Sequence, residues 1–136
     1  MNGHCSCGAV RYSIAGAPKW AAHCHCSDCR RATGAPYVTY AGFATDQLTW
    51  SGESAQRYNS SPGVVRRYCG KCGTPLSYEG ARWPGEVHIL AGTLDDPGAV
   101  APKVHVYVGE KLPWVTLADG LPRYLTVASQ GQPLAD

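Results

Sequence analysis

The chain has 136 residues, of which 44% are hydrophobic and 16% charged, and its formal net charge is +2. This composition is typical of one soluble globular domain and excludes a long disordered segment. The sequence has no apolar run of about 18 residues, no signal-peptide pattern and only scattered basic residues. We therefore expect a cytoplasmic protein that binds neither membranes nor nucleic acid.

Short β-strands dominate the predicted elements, because 16 glycines and 10 prolines divide the chain into short segments. Strands are predicted, in chain order, at residues 9–14, 36–43, 47–50, 64–68, 75–79, 86–92 and 103–108. Ser27 is predicted to cap a short helix over residues 28–33 that ends at Gly34. A further single turn is predicted at Pro97. We expect one mainly β domain over residues 1–136, with a core from about 3 to 125 and a frayed tail over 129–136.

The last predicted strand alternates between apolar and polar residues. Its apolar set is predicted to face the core and its polar set to form an outer face. The apolar set is Val104, Val106 and Val108, and the polar set is Lys103, His105 and Tyr107.

Seven cysteines favour metal ligation, because disulfides prefer an even count and an oxidising compartment. A redox dithiol and inert core cysteines are the alternatives. In the stretches CSCG (5–8) and CGKCG (69–73) the second cysteine precedes a glycine. A metal-binding turn needs such a glycine, since the chain often adopts a positive φ there. Cys5, Cys7, Cys69 and Cys72 are therefore predicted to form one structural four-cysteine zinc site.

The stretch HCHCSDCRR (23–31) contains Cys24, Cys26 and Cys29, and here arginine follows the last cysteine instead of glycine. Cys29 falls in the first turn of the predicted helix, where the helix dipole favours a thiolate. Three ligands with an open fourth position are typical of a catalytic zinc site. The alternative is a closed structural site, completed by one of the five histidines: His4, His23, His25, His88 or His105.

The remaining candidates have two interpretations each. Arg30 and Arg31 can bind a substrate carboxylate, or they form a solvated helix surface. The polar set of the last strand can bind substrate, or it is an ordinary outer face. The aromatic residues are predicted to pack in the core or at its rim: Tyr37, Tyr40, Trp50, Tyr68, Trp83 and Trp114.

Five stretches together resemble the glutathione-dependent formaldehyde-activating enzyme family, also called the GFA or CENP-V/GFA domain. They are GHCSCGAVRY, HCHCSDCRRATGAPY, YCGKCGTPLSY, AGTLDDP and HVYVGEKLPWV, in this order from residue 3 to about residue 125. The resemblance implies a mainly β, tent-like fold. It also implies a structural zinc on Cys5, Cys7, Cys69 and Cys72 and a second, catalytic-type zinc on Cys24, Cys26 and Cys29.

The activity that the resemblance implies joins formaldehyde to glutathione and is classed as a carbon–sulfur lyase reaction. The implied partners are a thiol such as glutathione and a small aldehyde, and the implied cofactor is zinc, two per chain, the second being labile. Arg30, Arg31, Lys103, His105 and Tyr107 are the candidate substrate-binding residues. A non-enzymatic zinc scaffold, a chaperone-like module and a zinc–thiolate redox sensor are the alternative functions.

Overall fold

The computed structural model describes residues 1–135. Within this range ten strands form a three-stranded sheet in the order β1-β2-β5 and a seven-stranded sheet in the order β10-β3-β4-β9-β8-β7-β6. One α-helix, α1 (Ser27–Thr33), follows β3. The strands are β1 (Asn2–His4), β2 (Val10–Ile14), β3 (Trp20–Cys24), β4 (Val38–Ala44), β5 (Leu48–Gly52), β6 (Gln56–Ser61), β7 (Val64–Tyr68), β8 (Pro75–Gly80), β9 (Glu86–Leu90) and β10 (Val104–Val106).

The mainly β prediction is confirmed, and each of the seven predicted strands is present in the structure. Strands β1, β3 and β6 were not predicted. The prediction of Ser27 as the helix cap was wrong. Cys26 has an extended backbone, and its Sγ accepts a hydrogen bond from the Cys29 amide, so Cys26 is the capping residue. The helix ends as predicted at Gly34, which has φ 72°.

The prediction for the last strand needs correction. β10 ends at Val106, because Tyr107 adopts a left-handed conformation with φ 56°. Tyr107 therefore does not continue the face of Lys103 and His105. His105 is only 1% exposed, so it is not part of a polar outer face. β10 pairs in parallel with β3, where His105 lies opposite His23.

Two groups of buried residues lie on opposite faces of the seven-stranded sheet. The larger one packs this sheet against the three-stranded sheet and contains Tyr12, Phe43 and Ile89. The smaller one contains Cys24, Cys29, Val38, Tyr40 and Leu90. Neighbouring residues on β4 divide between them, since Ala41 belongs to the larger group and Tyr40 to the smaller one. The smaller group forms the base of the site described below.

The C-terminal segment makes hydrogen bonds with the body of the protein. Arg82 donates to Gln130 Oε1 at 2.9 Å, and the Leu134 amide donates to the Arg123 carbonyl at 2.7 Å. Residue 136, the last of the tail predicted to fray, lies outside the described residues. No helix in residues 1–135 combines the length and the apolar character needed to cross a membrane.

Candidate functional site

Four cysteines from two distant turns meet at one point. Cys5 and Cys7 lie in the turn between β1 and β2, while Cys69 and Cys72 lie in the turn between β7 and β8. The four Sγ atoms lie within 4.8 Å of one another, and all four thiols are free. The cluster therefore joins a turn of the three-stranded sheet to a turn of the seven-stranded sheet, and its donor set is one that a structural zinc prefers.

Glycines and backbone amides shape this four-cysteine cluster. Gly8 and Gly73 have φ 78° and 80°, as the Cys-Gly pattern predicted. The amides of Val10 and Lys71 donate to sulfur atoms of the cluster, Val10 to Cys5 at 3.3 Å and Lys71 to Cys69 at 3.4 Å. Such amide donors stabilise thiolates. Burial opposes ionisation of Cys5, but the Val10 amide and the neighbouring thiols together lower the pKa of Cys5.

The second cluster is built where β3 passes into α1. Cys24 ends the strand, Cys26 caps the helix and Cys29 lies in its first turn, with their Sγ atoms within 4.8 Å of one another. Within residues 1–135, no other cysteine, histidine, aspartate or glutamate joins this three-cysteine cluster. His25, although it separates two of the cysteines, instead contacts His105 through Nε2 at 2.9 Å. Among the described residues, the cluster therefore offers a metal three protein ligands.

Cys29 has two further polar partners inside the protein. The Tyr40 hydroxyl donates to Cys29 Sγ at 3.5 Å and accepts from Arg66 Nη1 at 3.1 Å. Arg66 Nη2 lies 4.0 Å from the same sulfur, and Arg66 is buried. Hydrogen bonds from the Cys24 and Cys26 thiols, with Tyr40 and Arg66 in addition, lower the pKa of Cys29. A buried cation therefore compensates the negative charge of this cluster, and the three soft donors fit a soft divalent metal such as zinc.

A third group of possible ligands is a hydrogen-bond network. His23, His105 and Asp119 lie within 4.8 Å of one another. However, His105 uses Nε2 to contact Asp119 Oδ2 at 2.7 Å and Nδ1 to contact His25. The rings of His23 and His105 are stacked, with centroids 4.7 Å apart. Because both nitrogens of His105 are occupied, the group is a hydrogen-bond network that holds the buried His25 and His105 next to β3.

A cavity of about 470 Å³ opens beside the three-cysteine cluster and is lined by all three of its cysteines. The register of the seven-stranded sheet creates the cavity wall, because one row of paired residues crosses five strands. This row is Trp20, Gly42, His88, Tyr78 and Arg66, on β3, β4, β9, β8 and β7. A Cβ atom at position 42 would lie 2.2 Å from the Trp20 indole, so the glycine makes room for that ring.

His88 is the buried ionisable ring in this wall. Its side chain is 8% exposed, and its Nε2 lies 3.6 Å from Glu86 Oε1, too far for a hydrogen bond. Glu86 Oε1 instead accepts from Trp20 Nε1 at 2.9 Å. Burial lowers the pKa of His88 to about 4. His88 is consequently neutral at pH 7, and its Nε2 has no hydrogen-bond partner among the described residues.

Comparison with known proteins gives the family of the chain. The model of the family "Glutathione-dependent formaldehyde-activating enzyme" (GFA) matches residues 1–110. The chain belongs to the GFA family. A protein of Halomonas elongata, provisionally named as a glutathione-dependent formaldehyde-activating enzyme, is 31% identical over 127 residues, covering 86% of this chain and 80% of the relative.

The fold also has a counterpart among solved structures. The crystal structure of a Rhodobacter sphaeroides protein superposes with a TM-score of 0.60 at 25% identity. The match covers 75% of this chain and 92% of the other. The mainly β architecture of this GFA-family chain is therefore shared with an experimentally determined structure.

The structure brings the seven cysteines of this GFA-family chain together in the predicted four-plus-three division. The five candidate substrate-binding residues do not share one location. Tyr107 lines the cavity. Arg30 and Arg31 lie on α1 outside the cavity lining, Lys103 is exposed, and His105 lies on the opposite face of its strand.

Sequence reasoning missed Arg66, the position of Trp20 and the placement of His88. The missed signal was a polar residue inside a predicted apolar strand: His88 within EVHIL (86–90) and Arg66 within VVRRY (64–68). A buried polar residue in such a strand requires a partner or a function.

Proposed function

We propose that this GFA-family protein is a zinc-dependent enzyme of the carbon–sulfur lyase type. Its proposed substrates are adducts of glutathione, or another thiol, with formaldehyde or a related small electrophile. The observation that carries the proposal is a cluster of three cysteines at the wall of a cavity, without a fourth protein ligand within the described residues. In this proposal Cys5, Cys7, Cys69 and Cys72 hold a structural zinc, and Cys24, Cys26 and Cys29 hold a second, labile zinc.

The family match supports the substrate class, since glutathione and formaldehyde both stand in the family's name. The seven free thiols suit a reducing compartment, and we infer a cytoplasmic location. A zinc ion on three thiolates supplies a soft Lewis acid that lowers the pKa of a substrate thiol. In the forward reaction the S–H bond breaks and a C–S bond forms, and the carbonyl oxygen takes up the proton. The reverse reaction cleaves the C–S bond.

The residues around the cluster have separate roles in this proposal. Arg66 and Tyr40 hold Cys29 and compensate its charge. His88 is neutral at pH 7, and its buried Nε2, which has no hydrogen-bond partner among the described residues, is available in the cavity wall as a hydrogen-bonding partner for the substrate. Trp20 and Tyr78 flank His88, with ring centroids 4.5 Å and 5.2 Å away, and they shield it from water.

Metal content and two cysteine variants test the proposal. We expect about two zinc ions per chain by elemental analysis of protein purified without added metal. The Cys26→Ser variant should lose one zinc and all activity with glutathione and formaldehyde, while its far-UV circular dichroism stays unchanged. The Cys5→Ser variant should unfold, because its cluster joins the two sheets. If Cys26→Ser unfolds as Cys5→Ser does, the three-cysteine cluster is structural and the catalytic role is refuted.

X-ray absorption distinguishes the enzyme from a non-enzymatic zinc scaffold. In the Cys5, Cys7, Cys69 and Cys72 cluster we expect four sulfur ligands throughout. The average number of sulfur ligands per zinc should rise when glutathione is added, since its thiol becomes the fourth ligand at the three-cysteine cluster. A shell of three sulfurs and one nitrogen that glutathione leaves unchanged would identify a closed scaffold site.

A further inference from the structure

The cavity is much larger than the electrophile in the family's name. Formaldehyde has two heavy atoms and is similar in size to a water molecule, whose share of liquid volume is about 30 Å³. The cavity beside Cys24, Cys26 and Cys29 measures about 470 Å³. A site for formaldehyde alone needs no such space, so the wall of the cavity is informative about what else it binds.

Aromatic and aliphatic side chains form most of this wall. Trp20 and Tyr78 come from the row of paired residues described above, and the edge strand β10 contributes two valines. The segment between β8 and β9 adds an indole, on which the Arg82 guanidinium lies 5.1 Å from the ring centroid. The apolar lining thus includes Trp20, Tyr78, Trp83, Tyr107, Val104 and Val106. Such a lining favours a flat apolar group, which packs against rings at offset or edge-to-face geometry.

The charged residues of the cavity do not favour an anion. Two arginines and three acidic residues line it, namely Arg66, Arg82, Asp28, Glu86 and Glu110. Both arginines have partners within the protein, because Arg66 donates to Ser60 and Tyr40 and Arg82 donates to Tyr107 and Gln130. Because three carboxylates and only two guanidinium groups line the cavity, the lining does not favour the carboxylates of a peptide, whereas an uncharged ring meets no charge repulsion there.

We propose that the electrophile of this protein is an apolar, ring-bearing aldehyde whose ring packs against Trp20, Trp83 and Tyr78. The inference rests on the proposed function, because it places the thiol sulfur at the three-cysteine cluster. The thiol adds across the aldehyde C=O bond: the S–H bond breaks, the C–S bond forms and the carbonyl oxygen takes the proton. No oxidant or reductant takes part, and the ring stays unchanged in the cavity.

Two stable thioethers that differ only in the ring test the proposal. S-benzylglutathione represents the adduct of an aromatic aldehyde, and S-methylglutathione represents the formaldehyde adduct. Isothermal titration of the zinc-loaded protein should show S-benzylglutathione binding about tenfold or more tightly, since the phenyl ring is buried. The Trp83→Ala variant should lose most of this preference. The matched control is Trp114→Ala, which should retain it, because Trp114 is 69% exposed and outside the cavity lining.

A third ligand separates failure of this inference from failure of the proposed function. Benzyl methyl sulfide carries the ring and a sulfur but no peptide. If it binds in a Trp83-dependent manner and neither glutathione conjugate binds, the ring site stands and glutathione is refuted as the thiol. If both conjugates bind equally well, the ring-bearing substrate is refuted and the thiol-adduct function stands. Absence of binding by all three ligands, or an equal loss of preference in both tryptophan variants, overturns the inference.

Discussion

Cys29 is held by a short chain of hydrogen-bond donors that begins at a buried cation. Arg66 donates to the Tyr40 hydroxyl, which donates to Cys29 Sγ. Groups that orient a metal ligand in this way commonly contribute 10–100-fold to metal affinity. If the three-cysteine cluster holds a metal, as proposed, we expect its affinity to depend on Tyr40 of β4 and Arg66 of β7, although neither contributes a ligand.

We expect Tyr40→Phe to weaken zinc binding at the three-cysteine cluster by about 10–100-fold, because Cys29 loses its hydroxyl donor. Competition with a chromophoric zinc chelator measures this affinity. The matched control is Tyr12→Phe, which removes a buried hydroxyl from the other core, where it pairs with Thr93. An equal weakening in both variants would show that the effect is general destabilisation and not the contact with Cys29.

His88 should make the stability of the protein depend on pH. Burial lowers its pKa from 6.5 to about 4, so between these values the unfolded chain binds more protons than the folded one. The contribution of His88 is therefore fully present above about pH 6.5 and is lost as the pH falls toward 4.

Replacement of His88 by phenylalanine keeps an aromatic ring and removes this titration. Across pH 6.5 to 4, the wild type should lose about 3 kcal/mol more unfolding free energy than His88→Phe. Urea titrations of both proteins at several pH values measure the difference, and other acid-sensitive groups contribute to both curves. If the unfolding free energy of the two proteins changed equally with pH, His88 would be charged in the folded protein at these pH values.

At the scale of elements, the cap of α1 is a cysteine of the three-cysteine cluster. Cys26 Sγ accepts from the Cys29 amide at 3.3 Å, so the first turn of the helix fixes the distance between two cysteines of the cluster. The sequence favoured Ser27 at this position because serine is a common cap. A cysteine sulfur accepts the same hydrogen bond here, so the cap lies one residue before Ser27.

We expect Ser27→Ala to change the unfolding free energy by less than about 0.5 kcal/mol, as at an ordinary surface position. If Ser27 were the cap, the same substitution would lower the unfolding free energy by about 1 kcal/mol. Thermal or urea unfolding of the zinc-loaded protein decides between the two values. A loss near the larger value would restore Ser27 as the cap of α1.

Strands were predicted correctly where the apolar–polar alternation and the turn residues agreed. The prediction failed where residues of the candidate site interrupt this alternation. β3 ends in His23 and Cys24, and these two residues are not typical of a strand that lies between two others in its sheet. In β10 the alternation was identified correctly, but its polar side was assigned to solvent. His105 is buried there because His25 and Asp119 satisfy its ring nitrogens, and such long-range partners leave no local signal.

At the scale of the whole molecule, the division of the cysteines could be predicted, whereas the cavity could not. The glycines after Cys7 and Cys72 are local signals for the turns that build one cluster. The cavity depends on the strand order β10-β3-β4-β9-β8-β7, which brings Trp20, His88 and Arg66 into one row. Sequence order does not specify these neighbours, since β3 and β10 are adjacent in space and distant along the chain.

Metal removal should increase amide hydrogen exchange more in the three-stranded sheet than in the seven-stranded sheet. Zinc binding contributes on the order of 10–16 kcal/mol in small metal-folded domains, and the four-cysteine cluster ties the β1–β2 turn to the β7–β8 turn. Chelation should therefore accelerate amide hydrogen exchange most in β1, β2 and β5. The Cys26→Ser variant without chelator is the control and should keep these strands protected. Equal exchange rates before and after chelation would show that the sheets hold together without metal.

The two clusters also differ in how much chain must exist before each is complete. Cys24, Cys26 and Cys29 lie within one six-residue stretch, whereas Cys5 and Cys7 await partners at positions 69 and 72. Synthesis proceeds from the N-terminus, so a growing chain carries the complete three-cysteine set before the four-cysteine set exists. β10, which completes the cavity wall, follows later still. The ligands of the proposed reactive metal are therefore available first, and those of the proposed structural metal are available second.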